Sequence, residues 1–281
     1  MAFDISKAVA QAAKQGPDMT KATKGGSGGY TPPAEGVARA RFIGYIEGGK
    51  QKHEWEGKVS YKEKVRLIFE LSGPKHQPRE GDGGEKFPHR ITIEENLSLN
   101  EKAHFFKIFR SMNYDGDATH IAQLLGKDFL ITIRHQKAKK SGNIFATAKD
   151  AAGQYTIRSP YYEDPNTGET HRISADPQIS ETRCFLWDFA SKEMWDSLYI
   201  EGEYEAIKDE KTGEVVRPAK SKNVFQDWIR QANNFEGSPI HEILQGEVDL
   251  PEEDKVADPK PADEDSGPAP ADDDDPLAGV S

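Results

Sequence analysis

Apolar and polar positions alternate with a period of two through most of residues 35–150, and the period changes once. Residues 37–47 place Ala38, Ala40, Phe42 and Ile46 on one side and Arg39, Arg41, Ile43 and Tyr45 on the other, which predicts a strand. Residues 61–71 predict a second, with Val65, Leu67, Phe69 and Leu71 on one face and Lys62, Lys64 and Arg66 on the other. The Gly- and Pro-rich residues 72–85 predict a long turn, and residues 90–94 a third strand with Ile91 and Ile93 inward. Helical spacing then takes over: Phe105, Phe106, Ile108, Phe109 and Met112 follow Ser98 and Glu101, which have the spacing of a capping box. A second short helix is expected over 118–125, capped by Asp117 and ended by Gly126. Residues 129–134 and 143–149 read as two more strands, joined by 136–142.

Three strands, a helix and two strands is the order of an OB-fold, a five-stranded Greek-key barrel with its helix between the third and fourth strands. The fold class expected is therefore mainly β with a few helices, the barrel occupying residues 35–153. Residues 1–34 are expected to be a flexible arm and linker, because the apolar stripe of Ile5, Val9, Ala12 and Ala13 is too short for a stable helix and is followed by Gly25, Gly26, Gly28 and Gly29. Residues 154–246 predict a mixed extension packed on the barrel. Turn signals stand at Pro165, Asn166 and Gly168 and at Lys211, Thr212 and Gly213, with helices after Ser191, over 224–232, and after Ser238 and Pro239.

Charge divides the chain further. Residues 247–281 carry thirteen acidic side chains against Lys255 and Lys260, which accounts for the whole net charge of −11. This segment is too acidic and too poor in apolar residues to offset its ordering entropy, so a disordered tail is expected. Residues 1–150 sum to +7 and residues 151–246 to −7. A polyanion is therefore expected on the front half, and the acidity of the extension argues against a nucleic-acid surface there. No stretch approaches the roughly 18 apolar residues of a membrane span, and residues 1–14 lack a long apolar run ending in a cleavage site. The single cysteine, Cys184, excludes an internal disulfide. A cytoplasmic setting without membrane contact is expected.

OB-folds hold oligonucleotides on the face of strands two and three and through the loops joining strands one to two and four to five. The first such loop, read as 48–60, holds Lys50, Lys52, His53, Trp55 and Lys58; the second holds Lys137, Lys139 and Lys140. Lys62, Lys64 and Arg66 lie between them, with Arg39 and Arg41 on the first strand and Arg134 on the fourth. Single strands need cations along their phosphates and flat rings against their bases, and Tyr45, Trp55, Tyr61 and Phe145 are the candidate rings. Tyr45, Tyr61 and Phe145 read equally well as inward core aromatics. Catalytic patterns are weak. Glu94 with Glu95, and Asp115 with Asp117, have the chemistry to hold a divalent ion for a nuclease, but Asp115-Gly116-Asp117 also suits a turn into a helix. The eight histidines show no paired metal spacing, so no cofactor, metal or enzymatic activity is expected.

A basic OB-patterned domain followed by an acidic tail ending in Asp272, Asp273, Asp274, Asp275, Pro276 and Leu277 resembles the single-stranded DNA-binding proteins of bacteria and tailed phages. The resemblance rests on the basic strand faces, residues 137–140 and this tip. It implies a non-catalytic protein that coats single-stranded DNA in replication or recombination and recruits a polymerase, helicase or nuclease through the tail. For a phage protein the setting is the host bacterial cytoplasm. Those tails commonly finish in Phe, whereas here Leu277 is followed by Ala278, Gly279, Val280 and Ser281. Two other readings fit the same features: an interaction or virion-associated protein whose tail mimics nucleic acid, and a metal-dependent nuclease.

Overall fold

The computed structural model describes residues 31–81, 83–138, 142–208, 213 and 215–246. Nearly all of the expected N-terminal arm, and the acidic tail with Asp272 to Leu277, lie outside the described residues, as do Lys139, Lys140 and the side chain of Trp55. Among the described residues 39% are strand and 16% helix, so the protein is mainly β.

Two long strands, β1 (Gly36–Trp55) and β2 (Lys58–Ser72), form an antiparallel hairpin. They meet at Glu56 and Gly57, whose φ values of 49° and 75° are those of a tight two-residue turn that keeps the right-handed strand twist. β3 (His89–Asn96) pairs with β2, β4 (Asp128–Lys137) with β1, and β5 (Ile144–Thr147) with β4. The order is β3-β2-β1-β4-β5. Two short strands add to it: β6 (Ile157–Arg158) beside β4, and β7 (Arg183–Phe185) parallel to β1.

The expected closed barrel is corrected to an open sheet. Closure needs a ladder between β3 and β5, and β5 stops at Thr147 because the chain turns back through Asp150 and Gly153 and re-enters the sheet as β6. Side chains span the gap instead. The Glu95 carboxylate at the end of β3 accepts hydrogen bonds from Tyr155 Oη at 2.6 Å, Lys149 Nζ at 3.1 Å and His104 Nδ1 at 3.2 Å. Burial pushes the Glu95 carboxyl up, but these three donors outweigh it and hold its pKa below the ordinary 4.5. A carboxylate depressed in the folded state adds stability above its unfolded pKa, and that stability is lost as pH falls through the folded value. The parent chain therefore loses stability on acidification below about pH 4.5. In Glu95→Gln the drop in urea midpoint between neutral and acid pH is expected to be smaller; an equal drop in both chains argues against this contribution.

Local geometry makes three further corrections. The first strand bulges at Ile43, so Phe42 and Tyr45 both point inward and Ile43 and Ile46 outward, against the uninterrupted alternation expected. The inner face joins Phe42, Tyr45, Leu67, Phe69 and Ile93 to the buried stripe of α1 (His104–Met112), with each fully buried large apolar side chain contributing about 1.5–3 kcal/mol. α1 starts later than its sequence signal, at Ala103, with no side-chain cap. Ser98 and Asn100 instead accept the backbone N–H groups of Asn100 and Lys102 in a turn. The expected helix over 118–125 is a 3-10 turn, Ile121–Leu124, capped by His120 and Gln123. Asp117 is drawn away to Lys127.

The C-terminal part of the described chain covers the outer face of the sheet. A hairpin, Tyr161–Glu163 with Thr170–Arg172, flanks Pro165, Asn166 and Gly168. Three short helices follow: α2 (Lys192–Ser197), α3 (Val224–Arg230) and α4 (Pro239–Gln245). Ser191 caps α2 through Met194 N, and Ser238 caps α4 through His241 N. Phe185, Trp195, Leu198, Trp228, Ile229 and Ile240 form a second core over Ile43, Ile46 and Ile68. Its seat is a second bulge at Gly48 and Gly49. A Cβ on Gly48 would stand 2.2 Å from the Trp228 ring, and one on Gly49 2.3 Å from the Trp187 ring, so both indoles press on bare backbone.

Candidate nucleic-acid interface

The stretch 48–60 is not a loop. Past the Gly48–Gly49 bulge, β1 and β2 stay paired from Lys50↔Glu63 to Trp55↔Lys58, making a two-stranded arm. Polar residues on both sides of the ribbon hide the alternation, and the glycine pair imitates a loop start. Pairing sorts the expected residues onto two faces. Lys58, Lys62, Lys64 and Arg66 continue the outer face of the sheet, while Lys50, Lys52 and Tyr61 lie on the opposite face together with Glu54 and Glu63. Among the described residues no carboxylate lies within ion-pair distance of Lys58, Lys62 or Lys64. On the other face Lys52 is 3.6 Å from Glu54. Tyr61 is half-exposed.

Several expected contacts belong to the fold instead. Tyr45 is fully buried, and its hydroxyl donates to Glu47 at 2.8 Å. Burial and the Glu47 carboxylate both push the phenol up, so it stays a donor, and the fully buried ring offers no face for stacking. Arg39 pairs with Asp176 at 3.3 Å; Arg41 pairs with Asp128 at 3.2 Å and donates to the Asp176 carbonyl at 3.3 Å. Both fasten an extended strap, residues 173–182, across the sheet; the same strap donates Ile179 N and Ser180 N to the buried Glu70 carboxylate. Arg66 is a joint: its guanidinium lies 3.9 Å from the centre of the Trp228 ring and 3.0 Å from Glu94. Arg134, Lys137 and Phe145 sit on the β4–β5 hairpin, with Arg134 and Lys137 exposed and Phe145 39% exposed. Gly36 pairs with Ile133, so these residues run past the first residue of β1, whereas the arm lies at its last. Asp115 and Asp117 close on the Lys127 ammonium at 3.0 and 3.1 Å. Among the described residues no group of three or more His, Cys, Asp or Glu side chains is placed to hold a metal ion.

The sequence does not disclose a groove of about 520 Å³ that opens on the outer face between β2, β3 and the C-terminal segment. Its walls carry Lys86, Arg90, Arg183 and Lys222 against one carboxylate, Glu181, together with the rings of Tyr204 and Phe225. These residues come from separate stretches with no common spacing, and the net acidity of residues 151–246 masks the cations among them. No helix among the described residues is long and apolar enough to cross a membrane. Comparisons with protein-family models, curated proteins and solved structures find no match, so the geometry of the outer face alone supports a reading of function.

Proposed function

We propose that this chain is a non-catalytic, sequence-tolerant single-stranded DNA-binding protein that coats DNA in replication or recombination. One observation carries the reading: Lys58, Lys62 and Lys64 stand in a row on the outer face of β2, free of counter-carboxylates and backed by Arg66. Such a row neutralises successive phosphates and displaces their counterions without reading base edges. The strand order β3-β2-β1-β4-β5 supports an OB-fold whose last ladder has opened, a scaffold that displays oligonucleotides on the face of its second and third strands. A cytoplasmic setting follows from the same reading, in the host bacterium for a phage protein.

The acidic segment completes the mechanism. Its thirteen acidic side chains against Lys255 and Lys260 give it the charge to compete with DNA for the lysine row. It competes with DNA there, and DNA occupying the row frees it to recruit replication or recombination enzymes. The test is fluorescence anisotropy with a labelled oligo-dT and a duplex, on the full chain and on a chain truncated after Gly246. The expected result is saturable binding with preference for the single strand, tighter for the truncated chain. Absence of binding by both chains at low salt contradicts the function, and unchanged affinity on truncation contradicts the competition.

A further inference from the structure

We propose that the groove between the β2–β3 face and the C-terminal segment is a second stretch of the same nucleic-acid track. The acidic extension would then supply half of its wall. The inference rests on the single-stranded DNA reading above and adds residues that neither charge averaging nor spacing selects.

Composition and position identify the ligand. Four cations against one carboxylate select a polyanion, and two rings beside them suit a ligand with flat faces, the two features of a nucleotide chain. Lys86 and Arg90 are exposed, and among the described residues neither has a carboxylate partner. Across the ladder from Arg90 stands Glu70, but it is 5% exposed and its carboxylate already accepts Ile179 N at 2.9 Å and Ser180 N at 2.7 Å. The opposite wall is pre-oriented. Arg183 is 3.7 Å from Glu181 and lies 5.6 Å from the centre of the Phe225 ring. Lys222 Nζ is 5.6 Å from the centre of the Tyr204 ring, and that ring is 53% exposed. Phosphates are assigned to Arg90, Lys86 and Lys222, and a base to the open face of Tyr204.

The groove is also in line with the lysine row. Ile68, on its floor, shares the outer face of β2 with Lys64 and lies four residues away, roughly 13 Å along the strand. Trp228 over Arg66 closes the direct line along β2, so a single strand laid on Lys58, Lys62 and Lys64 enters the groove over β3, past Glu94, whose carboxylate Arg66 holds at 3.0 Å. The complete track from Lys58 to Ile68 is then roughly 33 Å long.

The experiment measures oligo-dT affinity of the full-length chain at two lengths, about 4 and about 16 nucleotides, the span of site sizes for one such domain. It compares the parent chain, Arg90→Glu/Lys222→Glu, Tyr204→Ala and Lys58→Glu/Lys62→Glu/Lys64→Glu. The groove pair is expected to bind the long oligonucleotide at least tenfold more weakly, with the salt slope reduced by about 1.4, two phosphates' worth. Tyr204→Ala is expected to lose roughly tenfold with the salt slope unchanged, and with the ring half-exposed its removal is expected to leave the urea midpoint close to the parent's. If the groove pair and Tyr204→Ala both bind the long oligonucleotide like the parent while the lysine triple does not, the groove is off the track and the wider function stands. If the parent binds neither length, the wider function itself fails.

Discussion

Replacing Lys58, Lys62 and Lys64 together by glutamate is expected to weaken oligo-dT binding by about a hundredfold or more at low salt, and to reduce the salt slope by about 2. Each phosphate contact on a single strand contributes about 0.7 to that slope, and three such contacts are removed. Reversal, unlike neutralisation, also places repelling charge along the track. The variant separates the two faces of the arm, because all three lysines lie on the outer face. The change on the other face, Lys50→Glu/Lys52→Glu, adds about two-thirds as much negative charge and is expected to cost little affinity. Lys50 lies opposite Glu63, and Lys52 stands beside Glu54. Equal losses for the two sets would mean that bulk charge, and not the outer face, governs binding. Lys50, Lys52, Lys58 and Lys62 are exposed and Lys64 is half-buried, so unfolding free energies should stay within about 0.5 kcal/mol of the parent.

Trp228→Ala is expected to destabilise the chain by about 3–5 kcal/mol in urea denaturation. The indole is 8% exposed, covers the backbone of Gly48, and carries the Arg66 guanidinium on its face. Its backbone carbonyl accepts Gln51 Nε2 at 2.9 Å, and Gln51 also donates to the Gly48 carbonyl. Removing the ring opens a cavity over the bulge and leaves Arg66 with Glu94 alone. Trp228→Phe, which keeps an aromatic face but a smaller one, should recover a large part of the loss. A loss below about 1 kcal/mol in Trp228→Ala would show that α3 is not what fastens the C-terminal segment to the sheet.

The fold was legible where one face of a strand is buried. β2 shows this best: Val65, Leu67, Phe69 and Leu71 point into the core while Lys62, Lys64 and Arg66 point out, as their alternation predicts. Ile91 and Ile93 on β3 follow the same rule. Legibility fails where a bulge changes parity without a sequence mark. At Ile43 one extra residue turns Tyr45 from a surface candidate into a core ring bonded to Glu47. It fails again in the arm, where polar residues on both faces erase the alternation and two glycines that accommodate indole rings look like the start of a loop. The expected capping box misplaced the start of α1 for a different reason, since Ser98 is engaged in its own turn with Asn100.

The candidate site divides along the same lines. The lysines of β2 were readable because alternation assigns them a face. Arg39 and Arg41 carry the same pattern, yet they are taken by Asp176 and Asp128, partners about 137 and 87 residues away that no local spacing announces. The groove is the extreme case, since Arg90 and Lys222 line it from positions 132 residues apart. Charge averaged over residues 151–246 pointed away from Arg183 and Lys222, because the average cannot register which side chains face one another.

The most direct test of the central claim is the affinity of the full-length chain for a labelled oligo-dT, measured from low to moderate salt. Measurable binding at low salt is expected, with a linear fall of log K with log salt at a slope near −2 for the lysine row and steeper where the groove is also filled. Binding that is absent at low salt, or present with a slope near zero, contradicts the claim.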